Sequence, residues 1–308
     1  VTVRPASPLP VIGLFGPTGA GKTAVAESCA RRTPAEIVSA DAMQVYRGLP
    51  ILTNQPESAT RLVAIWPLSH EASVGEYARL AHEAIDQILA GGRTPIVAGG
   101  TGLYLRAALA DLAVPPAPPP GARERLERLY DRLGPEHAHA VLAERDPAAA
   151  AAVHPNDRRR VVRALELAEA GTSLRPQRDR LWAEETRHPT VLIALDVPGD
   201  ELAHRIERRT RAMFERGVEE EVRRALEEPL SSTARHVIGL REVAELARED
   251  AIDAIVRRTL RYAAYQRKWL RRIEGAVSLR ADRPAEEIAG EVLEVARARQ
   301  RLPAARAG

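Results

Sequence analysis

One cysteine, Cys29, is all the thiol chemistry in this chain of 308 residues. An internal disulfide is excluded, and a cysteine-built zinc centre is disfavoured. Cys29 falls on the apolar side of a predicted helix, where a buried thiol is the plainer reading. Long apolar runs are missing too, with no stretch approaching the roughly 18 residues that span a bilayer. The first ten residues, Val1 to Pro10, lack the charged-then-apolar pattern of a secretory signal. A cytoplasmic protein without a membrane partner is expected. Lysine is the third scarcity: of 45 cationic residues only Lys22 and Lys268 are lysine. Such a bias fits a GC-rich genome that has converted permissive lysines to arginine. A lysine that persists marks a place where a compact ammonium matters.

What is present suits a globular α/β protein. Hydrophobic residues make up 45 % and charged residues 28 %, which excludes a disordered chain. The length allows one large α/β domain with an insertion, or two modest domains. Net charge is only +3 although the pI is near 9.3, so the distribution of charge carries more than its total.

Residues 11–15 form an apolar run that ends in a glycine-rich turn and reopens as a helix near Lys22. Ile37 to Ser39 end a second predicted strand. Ser73-Val-Gly-Glu76 has the form of a capping box, opening a helix to about Ala90. Thr94 to Ala98 read as a third strand, closed by Gly99-Gly100-Thr101-Gly102. Strands alternating with helices predict a parallel sheet with ligands at the carboxyl ends of its strands. Between Asp111 and Gly121 stand five prolines, which read as a stiff linker. From Ala122 to about Arg187 the pattern is helical, with starts at Asp146-Pro147 and Asn156-Asp157 and a stop at Gly171. Val191 to Asp196 returns to strand, and long helices follow, with a short strand near Val277 to Leu279. Beyond Leu302 a frayed tail is expected. The division is a first core segment over 9–112, a helical insertion over 113–189 and a second core segment over 190–302, with no internal repeat.

Gly16-Pro17-Thr18-Gly19-Ala20-Gly21-Lys22-Thr23 matches the phosphate-loop pattern G-x-x-x-x-G-K-[ST], in the strand–turn–helix setting that pattern requires. Its glycines let backbone N–H groups turn towards phosphate oxygens, and the helix N-terminus adds positive potential. Lys22 is placed to neutralise a phosphate, and the Thr23 hydroxyl to bind Mg²⁺. The motif leaves open which phosphate is held, ATP and GTP being the usual ones.

Two further segments narrow the choice. Ser39-Ala40-Asp41-Ala42-Met43-Gln44-Val45-Tyr46-Arg47-Gly48 follows the second strand, and Gly99-Gly100-Thr101-Gly102-Leu103-Tyr104-Leu105 follows the third. With the loop, they resemble the tRNA dimethylallyltransferase family. The resemblance continues through His154-Pro155-Asn156-Asp157 with residues 158–165, through Arg205 to Arg209 with Met213, Gly217 and Glu221-Val222, through Ile238 to Glu242, and through Thr259 to Trp269. It implies a P-loop NTPase-like parallel sheet flanked by helices, with an all-helical, tRNA-binding insertion. The implied reaction moves a dimethylallyl group from its diphosphate to the amine of the adenosine 3′ of the anticodon, in tRNAs reading codons that begin with U. The partners implied are the tRNA anticodon stem-loop and dimethylallyl diphosphate; Mg²⁺ as cofactor follows from the phosphate loop, and a monomer is expected.

By the same resemblance Gly16, Thr18, Gly19, Ala20, Gly21, Lys22 and Thr23 hold the diphosphate, and Thr101 and Arg209 add contacts to it. Asp41 is the general base for the adenine amine. An exocyclic amine is a poor nucleophile, so a carboxylate that takes its proton during attack suits the task. The allylic carbon separates from diphosphate only if cations and fixed dipoles stabilise the leaving charge. Contacts to tRNA are implied at Met43, Gln44 and Tyr46, and at Arg158, Arg159, Arg160 and Arg163 of the insertion. A second set comprises Arg261, Tyr262, Gln266, Arg267 and Lys268. Tyr262, Tyr265 and Trp269 share one helical face, where aromatics beside arginines stack on unpaired bases. Plainer readings stay open: Asp41 and Thr101 as helix caps, Arg209 as a surface arginine, and the aromatic trio as core.

The chain departs from the family pattern at Pro50-Ile51-Leu52-Thr53-Asn54-Gln55-Pro56, where Asp-Ile-Gly-Thr-Ala-Lys-Pro is usual. It departs again at Ile65-Trp66-Pro67-Leu68, and over Ala264 to Trp269. Rival readings are a P-loop small-molecule kinase, an isopentenyltransferase for free adenine nucleotide and a non-catalytic RNA-binding protein. The first leaves the SADAMQVYRG and GGTGLYL segments unexplained, although Val191 to Asp196 imitates a Walker-B strand. The second leaves the helical insertion without a purpose, and the third leaves Asp41, Thr101 and Arg209 without one.

Overall fold

The computed structural model describes residues 8–112, 119, 121–174, 185–273 and 275–301. Its described residues form two compact units, one built from those within 1–111 and 184–308 and the other from those within 112–183. The proline-rich linker falls largely outside the described residues, and the C-terminal tail wholly so.

The first unit holds six parallel strands: β1 (Val11–Phe15), β2 (Ala35–Ser39), β3 (Thr60–Arg61), β4 (Thr94–Gly99), β5 (Thr190–Asp196) and β6 (Val277–Arg280). Their order in the sheet is β3-β2-β4-β1-β5-β6. β1 is buried throughout, as an inner parallel strand covered on both faces must be. Its neighbouring side chains part to the two faces. Ile12 and Leu14 join a core with Val25 and Cys29 of α1 (Lys22–Arg32), Ile206 of α8 (Gly199–Glu215), and Ile288 and Val292 of α12 (Ala285–Arg301). Between them Gly13 faces Leu109 of α3 (Gly102–Leu109), which packs with α2 (Val74–Ala90) on the other side. Burial pushes the Cys29 thiol up to about 11, so it is an inert core group. The remaining described helices of this unit are α9 (Val218–Ala225), a 3-10 turn (Ala234–His236), α10 (Leu240–Glu245) and the 23-residue α11 (Arg248–Leu270).

The second unit stacks α4 (Ala122–Leu133), α5 (Pro135–Arg145), α6 (Pro147–Ala150) and α7 (Arg158–Glu169) around Leu126, Tyr130, Leu142, Val161 and Leu165. Its starts are capped as the sequence suggests: Asp146 accepts the Ala149 N–H and Asp157 accepts the Arg160 N–H. Gly171, at φ 70°, follows the last turn of α7. Among the described residues helix therefore ends at Glu169 and does not reach Arg187. Residues 185–189 have no helical turn, and 175–184 lie outside the described residues.

Two local features differ from expectation. The capping box of α2 is half made: Ser73 accepts the Glu76 N–H, but the Glu76 carboxylate turns to His70 at 2.8 Å. The short edge strand β3 was not foreseen. It belongs to a loop in which Asn54, Leu62 and Ala64 all take positive φ, without the glycines that usually announce such turns.

Candidate active site

Three loops leave the carboxyl ends of the neighbouring strands β2, β4 and β1 and meet above the sheet. The backbone stitches them together. Ala40 N–H donates to the Ala98 carbonyl at 2.8 Å, and Thr101 N–H to the Ala40 carbonyl at 3.4 Å. Gly99 is required here, because a Cβ would stand 2.0 Å from the Ala40 oxygen.

The phosphate loop runs from Gly16 to Thr23. Gly19 and Gly21 take φ of 87° and 82°, values that L side chains rarely adopt, and Gly21 heads α1. The Lys22 ammonium donates to the Gly16 and Pro17 carbonyls at 2.9 Å each. Desolvation lowers its pKa to about 8, with Asp41 opposing that shift and Arg209 adding to it. Lys22, Asp41 and Arg209 thus form one electrostatic group drawn from α1, the loop after β2, and α8.

Asp41 is not a helix cap. Its carboxylate accepts the Met43 N–H at 2.9 Å and so is fixed by its own loop. Around it stand Tyr77, Tyr104 and Tyr262, whose hydroxyls burial and the Asp41 charge hold in the protonated state, Tyr262 pushed up to about 12. Tyr77 donates to the Ser39 carbonyl and its ring lies 4.2 Å from that of Tyr104. Tyr104 belongs to the GGTGLYL segment and was open to discovery from it. Tyr77, inside α2, carries no local signal of a site.

Thr101 occupies the N-cap position of α3, yet its side chain caps nothing. Its hydroxyl takes the Ala42 N–H at 3.2 Å and faces the Tyr262 hydroxyl at 3.4 Å. Arg209 is likewise no surface arginine. Its guanidinium is desolvated, facing Asp41, and its Nε is buried without a hydrogen-bond partner. An orphaned guanidinium atom beside a phosphate loop fits an anionic ligand.

α11 closes the site and divides the expected RNA contacts. Tyr262, Gln266 and Trp269 turn inward. Gln266 is buried, and Trp269 fills the place where a Cβ on Gly102 would stand, 2.2 Å from the indole. Arg267 donates to the Val197 carbonyl at the end of β5, so it too is held within the fold. Arg261 and Lys268 face outward, together with Tyr265, which is 54 % exposed. The aromatic trio is thus split: Tyr262 and Trp269 pack, and Tyr265 alone is presented.

Other expected RNA contacts are also spent internally. The Gln44 amide accepts from Ser39 and donates to the Thr53 and Asn54 carbonyls, and the buried Tyr46 bonds to Thr233. The Gln44 bonds hold the departing segment at residues 50–56 against the core, with Glu221 accepting the Ile51 and Leu52 N–H groups at 2.8 Å each. Met43 is partly exposed beside Asp41. On α7, Arg158 forks onto Asp131, and Arg163 binds the buried Glu166. Arg159 and Arg160 remain exposed.

Comparison with known proteins gives a consistent result. The family described as IPP transferase matches residues 44–273, and the one described as isopentenyl transferase matches residues 10–61. A tRNA dimethylallyltransferase of Anaeromyxobacter sp. (strain K) is 44 % identical over 297 residues, covering 92 % of this chain and 97 % of that protein. One from Streptomyces coelicolor is 41 % identical over 299 residues, covering 91 % and 95 %. Among solved structures, the full-length tRNA isopentenylpyrophosphate transferase of Bacillus halodurans is similar with a TM-score of 0.66 at 29 % identity, covering 94 % of this chain and 97 % of that one. A eukaryotic dimethylallyltransferase, in crystallographic snapshots of its action on tRNA, gives 0.77 at 25 % identity, covering 96 % and 81 %.

Proposed function

The chain belongs to the IPP transferase family, and on that footing we propose that it transfers a dimethylallyl group from dimethylallyl diphosphate to tRNA. The acceptor is the exocyclic amine of the adenosine 3′ of the anticodon, in tRNAs reading U-starting codons. The observation that carries this reading is the group formed by Asp41, Lys22 and Arg209: one fixed carboxylate facing two desolvated cations beside a phosphate loop.

The amine nitrogen forms a bond to the allylic carbon as the bond from that carbon to the diphosphate oxygen breaks. The electron pair leaves with the diphosphate, and the amine proton passes to the Asp41 carboxylate. Lys22, Arg209 and the loop amides oppose the charge that grows on the leaving group. Thr101 and Tyr262 bound the space between base and leaving group. The adenine must leave its stack to reach Asp41, as for other enzymes that react on a base.

Mg²⁺ is the metal this chemistry calls for. No group of three His, Cys, Asp or Glu able to hold a metal stands among the described residues. Mg²⁺ keeps several waters and takes only one or two protein ligands, so one hydroxyl beside a bound phosphate is enough to hold it. Thr23 would be its protein ligand, and the ion would supply neutralising charge on the diphosphate.

On the core unit Arg261 and Lys268 of α11 take phosphates and Tyr265 stacks on an unpaired base; on the helical unit, taken by itself, Arg159 and Arg160 of α7 take phosphates. No described helix is long and apolar enough to cross a membrane. A cytoplasmic, monomeric enzyme is part of the proposal. Free adenine nucleotide is the less favoured acceptor, because it would give the helical unit and the basic outer face of α11 nothing to bind.

The test is incubation with Mg²⁺, labelled dimethylallyl diphosphate and unmodified tRNA, with AMP or ATP in parallel. Label in tRNA, lost with Asp41→Ala, is expected. Label in AMP alone would move the protein to the free-nucleotide class, and ATP turnover without prenyl transfer would overturn the reading.

A further inference from the structure

Gln266 stands among the RNA contacts in the sequence, and the fold turns it the other way. Only 2 % exposed, it accepts the Thr18 N–H of the phosphate loop at 2.8 Å and donates to the Gly100 carbonyl at 2.6 Å. One side-chain amide on α11 therefore spans the loop after β1 and the turn after β4. Tyr262, one turn earlier on the same helix, bonds to Gln266 and to Thr101.

The fit is specific on both sides. A Cβ on Gly100 would come within 2.3 Å of the Gln266 amide nitrogen, so the turn admits the glutamine only because Gly100 has no side chain. Glutamine alone has the reach together with one acceptor and one donor. Glutamate would accept from Thr18 but could not donate to Gly100, and asparagine is a methylene short. A loop that stabilises a leaving diphosphate by fixed dipoles gains from amides already aimed before the ligand arrives.

We propose that Gln266 is a positioning residue for the diphosphate: it fixes the phosphate loop from α11 and makes no contact with RNA. The identity of the ligand rests on the prenyl-transfer reading above; the strut itself does not.

The experiment compares wild type, Gln266→Leu, Gln266→Glu, Gly100→Ala and the Gly100→Ala/Gln266→Ala pair with its single Gln266→Ala control. Calorimetry gives the Kd for inorganic diphosphate, filter retention the Kd for tRNA, and turnover the kcat and KM for dimethylallyl diphosphate. Gln266→Leu should weaken inorganic diphosphate binding and raise the KM for dimethylallyl diphosphate by about tenfold, with tRNA affinity within about twofold of wild type. Gln266→Glu should weaken diphosphate further, because it adds a like charge. Gly100→Ala should reproduce the loss by displacing the amide, yet add little once Gln266 is already alanine. Should Gln266→Leu lose its circular-dichroism signal, Gly100→Ala, which keeps the glutamine, decides by the same two affinities. Loss of tRNA affinity with diphosphate unchanged overturns the proposal, as does additivity across the Gly100–Gln266 pair. Wild-type protein that binds inorganic diphosphate but prenylates neither tRNA nor nucleotide would sink the functional reading and leave the Gln266 comparison standing.

Discussion

The Thr101 hydroxyl takes the backbone N–H of Ala42 at 3.2 Å, although Thr101 heads a helix whose own free amides lie closer in sequence. The bond runs from the end of β4 to the end of β2 and meets the residue next to Asp41, so it helps set where the carboxylate sits. Thr101→Val keeps the shape but removes the acceptor, and should lower kcat by about 10- to 100-fold. Thr101→Ser should recover most of it. A serine variant as slow as the valine one would show that the hydroxyl alone does not restore the site, and would count against this bond as the cause of the loss.

Asp41→Asn separates geometry from chemistry at the same place. The amide oxygen still accepts the Met43 N–H, so the loop keeps its shape. It cannot take a proton from the amine, and kcat should fall by about 10²- to 10⁴-fold while affinity for tRNA stays near wild type. Single-turnover label transfer checks the rate, and filter retention the affinity.

Lys22 makes diphosphate affinity depend on pH. Its pKa is lowered from 10.5 to about 8, so the ammonium needed for binding is lost as pH rises through 8 in the free protein. Between those values the unfolded chain holds a proton that the folded chain has released, so this group's contribution to stability rises with pH across that window. Binding follows the opposite sign. Inorganic diphosphate should bind about tenfold more weakly at pH 9 than at pH 7. Lys22→Arg keeps its charge throughout and should lose that slope. The ligand's own titration is common to both proteins, so calorimetry on the pair isolates the lysine.

The phosphate loop and its flanking strands were legible in the sequence because their residues act locally. Gly16 to Thr23 form one turn, and the apolar run at residues 11–15 can only be an inner strand. Burial of distant groups was not legible. Gln44 and Gln266 are ordinary polar residues in one dimension, and only the fold brings their amides to Asn54 and Thr18. The pairing of Arg163 with Glu166 was open to an i,i+3 reading, but the burial of that carboxylate depends on Arg123 of another helix. The edge strand β3 is not legible because two residues give no periodicity.

On α11 the outward residues should govern RNA and the inward ones the reaction centre. Arg261→Ala and Lys268→Ala should each weaken tRNA binding and reduce the salt slope of log Kd by about one. Tyr265→Ala removes the ring on which a base stacks and should cost about 1–3 kcal/mol of tRNA affinity. Tyr262→Phe should leave affinity alone and slow turnover. Filter retention across a salt series distinguishes the two sets, and equal effects from both faces would refute the division.

The arginines of α7 offer the sharpest contrast between fold and binding. Glu166 is 2 % exposed and is held by Arg123 at 2.9 Å and Arg163 at 2.8 Å. Without Arg163 the buried carboxylate keeps only Arg123, so part of its desolvation is left unopposed, at a cost of about 1–3 kcal/mol. Arg163→Ala should therefore lower the melting temperature, whereas Arg159→Ala and Arg160→Ala, on the exposed face, should leave it unchanged. Affinity should sort them in reverse. The exposed pair weakens tRNA binding with a smaller salt slope, and Arg163→Ala weakens it only near its own melting range. Glu166→Gln gives the control: the amide keeps an acceptor for one guanidinium while removing the charge, so its stability should fall between wild type and Arg163→Ala. If Arg163→Ala instead loses tRNA at full stability, the arginine reads phosphate and its pairing with Glu166 merely aims it.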